Sequence, residues 1–405
     1  MTTVRISPCA LSGDIEVPPS KSLLHRGLVC AALAGDLSRC VLPPEDALSD
    51  DIRTTLACLR NILAAEADTE PLGLFCGESG TTLRLLVPVL AALGIEAAID
   101  GAGRLPSRPM AEYQAAFAGH ETTLEFPGDG TFLPLLLRGR LTPGRFVIPG
   151  NVSSQYVSGL LLALPLLDGD SEIVLASPLE SEPYVDMTLD VMRHFGVGAT
   201  RTAEGYHVPG RQPYHAAEDY VPEPDFSQAA FWQLAAFLGH GVAVANLPAR
   251  TSQGDSAFAG MLERLADDGG GDPRVFDVAQ TPDLVPALAA AAAAARGETR
   301  LVNAARLRLK ESDRLVATEA MLRAFGVAAE ALPDGLVVHG GGGRFRGGAV
   351  NGCRDHRIVM AAAMLATRAE GETTIVGGDA VAKSYPTFFE DFRNAGGIAH
   401  EFDVG

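Results

Sequence analysis

The chain has 405 residues, 47% of them hydrophobic and 20% charged, a globular composition at a length where one core usually splits, so two domains are expected. Its formal net charge of −18 excludes the basic face that nucleic acid or an acidic membrane requires, yet leaves room for a small anion held by a local cluster of cations. No apolar run approaches the roughly 18 residues of a membrane span, the start "MTTVRISPCALSGD" lacks a signal peptide's basic and apolar regions, and Cys9, Cys30, Cys40, Cys58, Cys76 and Cys353 show neither C-x-x-C nor zinc spacing. A cytoplasmic chain without disulfides or a metal site is expected.

In chain order, "TVRISPCALSGDIEV" reads as a strand segment and "EVPPS" as a connector, because proline fixes φ and lacks a backbone donor. From Ser20, "SKSLLHRGLVCAALAG" has a polar front and an almost wholly apolar body, the pattern of a buried helix. "DIRTTLACLRNILAA" then carries charge at helical spacing, as an amphipathic, half-exposed helix does. The alternation repeats. Polar-fronted apolar segments start at Glu78 ("ESGTTLRLLVPVLAALG"), Asn151 ("NVSSQYVSGLLLALPLLDG"), Asp225 ("DFSQAAFWQLAAFLGHG"), Asp283 ("DLVPALAAAAAAARG") and Asp355 ("DHRIVMAAAMLATRAEG"). They alternate with amphipathic segments, "PMAEYQAAFAGH", "MTLDVMRHFGVGA", "SAFAGMLERLADD", "SDRLVATEAMLRAFGV" and "SYPTFFEDFRNAGG", three of which end on a glycine suited to a C-cap. Short β-rich runs such as "RFVIPG", "EIVLAS", "GVAVANL", "TRLVNA", "GLVVHG" and "TTIVGG" lie among them. "GGGGRFRGG" at 340–348 fits no nucleotide loop and reads as a hairpin turn.

Asp225 follows Ser20, Asp283 follows Glu78 and Asp355 follows Asn151 at a near-constant offset, which marks a duplicated half of three similar units. The predicted fold is α/β: a two-domain inside-out α/β barrel, each domain of three repeated α/β units with buried central helices and outer sheets. The prolines of "EVPPS" and "YVPEPD" mark the passages from one half to the other. Residues 19–223 then form an N-terminal-type domain and 1–18 with 224–405 a discontinuous C-terminal-type domain, with hinges near 17–20 and 221–225.

A buried helix leaves unpaired N–H groups and partial positive charge at its N-terminus, which suits anions. If the six polar fronts share a cleft, they form an anion site without a P-loop. Lys21, Ser22 and Arg26 front the first helix; the plainer reading is an N-cap serine with solvated cations. "GESGTTLR" offers a glycine turn, hydroxyls and Arg84, or simply a turn and cap. Ser153, Ser154 and Gln155 are neutral donors or a capping motif, and Asp283 fits an ordinary N-cap. "RLRLKESDR" sets Lys310 and Arg314 four apart beside Glu311, "RDHR" crowds charge at a buried helix start, and "AVAKSYP" adds Lys383.

At these positions the chain resembles the enolpyruvyl transferase family, and within it the 5-enolpyruvylshikimate-3-phosphate synthases. The likeness runs from about residue 4 to 400 through "PPSKSLLHR", "GESGTTLR", "LPSRPM", "GNVSSQY", "SEPYVDMT", "TPDLVP", "LRLKESDR", "RDHR" and "AKSYP". It implies addition of the 5-hydroxyl of shikimate 3-phosphate to C2 of phosphoenolpyruvate, with loss of phosphate and no metal or organic cofactor. It also implies small-molecule partners only, in a monomer, and at Gly80 the glyphosate-sensitive form.

By that resemblance Lys21, Ser22, Arg26, Ser153, Ser154, Gln155, Ser181, Tyr184, Asp283 and Lys310 hold shikimate 3-phosphate. Lys21, Gly80, Arg108, Gln155, Arg314, Arg357 and Lys383 meet phosphoenolpyruvate, and Asp283, Glu311 and Lys21 carry the proton transfers. The chain departs from common family residues at Glu78, Leu85, Glu182 and Arg306. The nearest other enzyme is the sister transferase acting on UDP-N-acetylglucosamine, whose Lys-Asn motif and loop cysteine are replaced here by Lys21-Ser22 and a cysteine-free "GAGRLPSRPMAEY". A noncatalytic protein that binds phosphorylated metabolites is the alternative from another class.

Overall fold

The structure, a computed structural model, describes residues 2–65, 70–267 and 272–403. Two compact units emerge: an N-half unit of Lys21–Leu42 and Asp50–Pro222, and a C-half unit of Met1–Ser20, Pro43–Ser49 and Glu223–Gly405. The excursion Pro43–Ser49, read from sequence with the N-half, groups with the C-half; it holds two prolines and one 3-10 turn, Glu45–Ala47, rather than a strand or α-helix.

The N-half unit contains α1 (Lys21–Leu33), α2 (Asp50–Ala64), α3 (Gly80–Leu93), α4 (Ala111–Ala116), α5 (Ser154–Ala163) and α6 (Glu182–His194). As their apolar bodies require, α1, α3 and α5 are buried almost all round, while α2 and α6 bury one face. One four-stranded sheet runs in the order Leu72–Phe75, Ala97–Asp100, Leu135–Gly139, Thr122–Glu125; the other runs Arg145–Ile148, Ser171–Leu175, Gly205–Val208, Thr200–Arg201. In each, one outer pair is parallel and the other neighbours are antiparallel. Alternating burial along the strands leaves one face of each sheet outward. Between α1 and α2 the chain makes 3-10 turns and one parallel bridge, Cys40 with Tyr220, instead of a further sheet.

The C-half unit repeats the scheme with α7 (Phe226–Phe237), α8 (Phe258–Ala266), α9 (Val285–Ala294), α10 (Arg314–Ala324), α11 (His356–Ala366) and α12 (Phe388–Asn394). The amphipathic segment read to Asp268 becomes α8, and Asp268 itself lies outside the described residues. Helices α7, α9 and α11 lie in the core, and the alanine run of α9 is buried from Ala287 to Ala293. Two four-stranded sheets accompany them, Arg274–Asp277, Arg296–Val302, Gly335–Gly341, Ala328–Leu332 and Ala349–Asn351, Thr373–Val376, Thr2–Ser7, Ile398–Asp403. The N-terminal segment read as one strand is two: Thr2–Ser7 joins the second of these sheets, and Ser12–Ile15 pairs in parallel with Gly241–Val244. At the chain's crossings, Pro19 bridges Pro224, with Ser20 N donating to Glu223 O (2.7 Å) and Asp225 N to Pro18 O (2.9 Å).

The hairpin expected at 340–348 is not formed. After Gly335–Gly341 the chain turns at Gly342 and Gly343, both at positive φ, and Phe345–Arg346 pairs in parallel with Ala369–Glu370. Burial of the Phe345 ring outweighs the local turn preference of the glycines.

Packing of α3 on α5 depends on a proline. Pro88, inside α3, has no N–H for the carbonyl of Arg84, and the Tyr113 hydroxyl donates to that carbonyl instead (2.7 Å). Opposite it lies Gly159 of α5, where a Cβ would stand 2.2 Å from the Tyr113 oxygen and 2.4 Å from the Arg84 carbonyl oxygen. Tyr113→Phe leaves the buried carbonyl unpaired and is expected to cost about 1–3 kcal/mol. Gly159→Ala, which forces the helices apart, is expected to cost a similar amount, about 1–3 kcal/mol. Chemical denaturation of both variants measures this; wild-type stability in both would contradict the arrangement.

Candidate functional site

In the N-half unit the fronts of α1, α3, α5 and α6 are tied together by buried side chains. Arg26 is 1% exposed. Its Nε donates to Thr188 Oγ1 (2.7 Å), Nη1 to the Ser22 carbonyl (2.7 Å), and Nη2 to the Tyr184 carbonyl (2.9 Å) and Ser158 Oγ (3.3 Å). Burial among neutral acceptors lowers its pKa to about 10. Arg26, read from sequence as a ligand cation, donates to these protein groups. It fixes Ser22 of α1 and Tyr184 of α6 through their backbones. Lys21 extends from the first turn of α1 to Asp51 of α2 (2.7 Å), and Ser181 precedes α6 in the left-handed region at φ 55°, a strained backbone for a non-glycine residue.

The second tie joins α3 to α5. Gln155 accepts from Arg84 Nη1 (2.9 Å) and donates to Thr81 Oγ1 (2.7 Å). Arg84 also donates to the Pro109 carbonyl (3.1 Å) and lies over the Tyr156 ring. The helices are capped by serines: Ser79 accepts from Thr82 N (3.2 Å) and Ser153 from Gln155 N (3.3 Å), while Ser154 opens α5. Gly80, the first residue of α3, lies against the Arg108 guanidinium, and a Cβ there would stand 2.5 Å from Nη1. The glycine's missing side chain is what admits the arginine.

In the C-half unit, carboxylates and cations converge. Asp283, in a short 3-10 turn leading into α9, accepts from Arg314 Nη1 (2.9 Å) and Arg357 Nη2 (2.9 Å), and Lys310 Nζ lies 3.6 Å away. Arg314, 1% exposed, also donates to Glu311 (2.7 Å) and through Nε to Asp355 (2.9 Å). Asp355 caps α11 by accepting from Arg357 N (3.0 Å) and is held by the Ser312 hydroxyl (2.9 Å). As with Arg26, a cation predicted to meet the ligand is here also bonded to groups of the protein. Lys383, in the 3-10 helix Gly378–Lys383, donates to the carbonyl of Arg354 (3.0 Å), a residue at positive φ beside Asp355.

Burial raises the pKa of Asp283, but Arg357, Lys310 and Arg314 together outweigh it and hold the carboxyl well below its ordinary range. Lys310 is lowered to about 8, chiefly by burial, against the opposing pull of Asp283. Arg314 is raised despite burial, because Asp355, Glu311 and Asp283 surround it. Asp255, behind this group and bonded by the Ser227 hydroxyl, is raised to about 6 by burial and by Asp283.

Within each unit the structure thus gathers most of the residues predicted for that half. Sequence reasoning missed the residues that hold them: Asp51, Ser158, Thr188 and Asp355. Only Asp355 carried a signal, as an acid in "RDHR" at the start of an apolar helix. Among the described residues no group of three or more His, Cys, Asp or Glu is arranged to hold a metal ion.

Comparison with known proteins supplies the lineage. The family model described as EPSP synthase (3-phosphoshikimate 1-carboxyvinyltransferase) matches residues 7–392. Proteins named 3-phosphoshikimate 1-carboxyvinyltransferase from Clostridium acetobutylicum and Clostridium kluyveri are 38% and 37% identical to this chain, with 100% of both chains covered in each case. Among solved structures, an EPSP synthase from Acinetobacter baumannii covers 100% of both chains at 24% identity and a TM-score of 0.78. The enolpyruvyl transferase NikO from Streptomyces tendae covers 100% of this chain and 99% of its own at 18% identity and a TM-score of 0.75. These two likenesses bear on the fold, an inside-out α/β architecture of two domains, while the family match and the Clostridium relatives bear on lineage. The chain belongs to the EPSP synthase family.

Proposed function

We propose that the two clusters divide the labour of this family's reaction. The chain transfers the enolpyruvyl group of phosphoenolpyruvate to the 5-hydroxyl of shikimate 3-phosphate, giving 5-enolpyruvylshikimate 3-phosphate and phosphate. The observation that carries the assignment is the convergence of Lys310, Arg314 and Arg357 on Asp283, with Glu311 on the same arginine. Carboxylates and cations so placed can exchange protons beside an anion.

Asp283 takes the proton of the 5-hydroxyl as oxygen adds to C2, and Glu311 delivers a proton to C3. Loss of phosphate, with a proton leaving C3, then forms the vinyl ether. Asp283 is a weak base while Arg357 and Arg314 hold it; a substrate carboxylate reaching Arg357 competes for those donors and raises its basicity. Lys21 assists proton transfer and the departing phosphate. Ser22, Ser153, Ser154, Gln155, Ser181, Tyr184 and Lys310 bind shikimate 3-phosphate, with Arg26 fixing Ser22 and Tyr184. Gly80, Arg108, Gln155, Arg357 and Lys383 meet phosphoenolpyruvate, with Arg314 orienting the carboxylates.

This reading takes 19–223 as one domain and 1–18 with 224–405 as the other, joined near 17–20 and 221–225, each supplying one cluster. It also makes the protein a cytoplasmic monomer, sensitive to glyphosate and independent of metal or organic cofactor. No helix among the described residues is long and apolar enough to cross a membrane.

Phosphate release from phosphoenolpyruvate should depend on shikimate 3-phosphate and not on UDP-N-acetylglucosamine; tight binding of both substrates without turnover would instead identify a binding protein. Gly80→Ala, by displacing the Arg108 guanidinium, should raise KM for phosphoenolpyruvate roughly 10–100-fold, the scale of one charged hydrogen-bonded contact. Steady-state kinetics decide this, an unchanged KM removing Arg108 from the substrate.

With its pKa at about 8, Lys310 is charged below that pH and neutral above it. For an anionic substrate, kcat/KM should therefore fall as pH rises through about 8, approaching tenfold per unit. Lys310→Arg, which stays charged, should move that limb to higher pH. A limb unmoved by the substitution would assign the titration to another group.

A further inference from the structure

His25 sits between Lys21 and Arg26 in the front of α1, yet nothing in the reaction above uses it. It is 1% exposed, as are Thr55 of α2, Thr82 of α3 and Ser79, the cap of α3. Their polar atoms form one continuous chain. His25 Nδ1 lies 2.8 Å from Thr55 Oγ1, Thr55 Oγ1 lies 2.6 Å from Thr82 Oγ1, and Thr82 Oγ1 lies 2.7 Å from Ser79 Oγ. Four residues before His25 and four before Thr55 stand Lys21 and Asp51, which pair at 2.7 Å. Helices α1 and α2 are therefore joined by two adjacent rungs, one ionic and one neutral.

Each hydroxyl has one proton, and this sets the direction of the chain. Ser79 Oγ accepts from Thr82, both from its N–H (3.2 Å) and from its hydroxyl. With that proton committed, Thr82 Oγ1 can only accept from Thr55. Thr55 in turn, preferring the 2.6 Å contact to the Asp51 carbonyl at 3.0 Å, must accept from His25. The imidazole proton then belongs on Nδ1. The other nitrogen agrees: Nε2 is buried with no hydrogen-bond partner among the described residues, where an N–H would be an orphaned donor. Burial, with Lys21 and Arg26 alongside, keeps the ring neutral by holding its pKa well below the ordinary value.

We propose that His25 is a positioning residue which, as the neutral Nδ1–H tautomer, heads a buried chain through Thr55 and Thr82 to Ser79, fixing the front of α3. What that front carries is Gly80 and the Arg108 guanidinium packed on it, so the functional consequence rests on the reading of Arg108 as a phosphoenolpyruvate contact. Without the imidazole donor, the Thr55 proton can turn from Thr82 to the Asp51 carbonyl, and Thr82, which holds Ser79 through its N–H and hydroxyl, loses the bond that orders it. The chain thus sets the Gly80 wall from the helix that bears Lys21.

Nitrogen NMR of the imidazole in the wild-type protein tests the chemistry independently of activity. Nδ1 should show the protonated and Nε2 the unprotonated signature, without titrating between about pH 5 and 9; the reverse tautomer, or a ring that titrates there, overturns the proposal. Kinetics test the consequence. His25→Leu should raise KM for phosphoenolpyruvate about tenfold with kcat held within about twofold, and His25→Asn, whose amide N–H can replace Nδ1–H, should restore the wild-type KM. An unchanged KM in His25→Leu, or no restoration by Asn, overturns it. If His25→Leu does not fold, the tautomer and the KM of His25→Asn decide. Gly80→Ala separates the two layers: if it raises KM while His25→Leu does not, the chain is refuted alone; if neither does, the site reading falls with it.

Discussion

In each half of this chain one buried guanidinium spends its donors on several elements at once. Arg26 joins α1, α5 and α6; Arg314 joins Asp283, Glu311 and Asp355. The acceptors differ in kind. Arg26 meets carbonyls and hydroxyls, which satisfy its hydrogen bonds and leave its charge, and its pKa falls to about 10. Arg314 meets carboxylates, which cancel its charge, and its pKa rises. The same side chain, buried to the same degree, thus builds an electropositive environment in one half and an ion-paired one in the other.

That contrast explains how a chain of net charge −18 can handle two anions. Long-range attraction is absent, so binding has to come from short-range donors in a setting where their charge is not already neutralised. The N-half supplies this with backbone N–H groups, serines, Gln155 and arginines on neutral partners. The C-half gathers the carboxylates Asp283 and Glu311, which on the proposed reading exchange protons, held at fixed spacing by the cations around them.

Much of this was legible in the sequence, and what was missed has a common cause. Six apolar bodies with polar fronts gave the buried helices, because helical periodicity and burial are local in sequence. The glycine ends of α6 and α10 were equally readable: Val197 N donates to Met192 O and Val327 N to Leu322 O across Gly196 and Gly326, both at positive φ. By contrast, the pairing of Arg26 and Arg314 with protein groups gave no signal, since their acceptors Thr188 and Asp355 lie far along the chain. Tyr113 likewise gave no hint that it answers the carbonyl left open by Pro88. The glycines of 340–348 misled for the same reason, as a distant strand pairing and one buried ring overrode their local turn preference.

The helix caps differ between the halves at several single residues. In the N-half, α3 and α5 are capped by Ser79 and Ser153, which satisfy an N–H without adding charge, so the partial positive end of each helix stays available to an anion. In the C-half, α7, α10 and α11 are capped by Asp225, Asp313 and Asp355, whose carboxylates occupy the same field. Duplication accounts for the shared scaffold, but it does not account for this difference in caps. A carboxylate cap competes with an incoming anion for the helix end, whereas a carboxylate beside arginines is paired by them. Of the matched helix pairs, α5 and α11 carry the contrast directly, Ser153 against Asp355, whereas α9, the counterpart of α3, follows Leu284 with no side-chain cap; at the α5 and α11 pair the added carboxylate is a group that Arg314 pairs with.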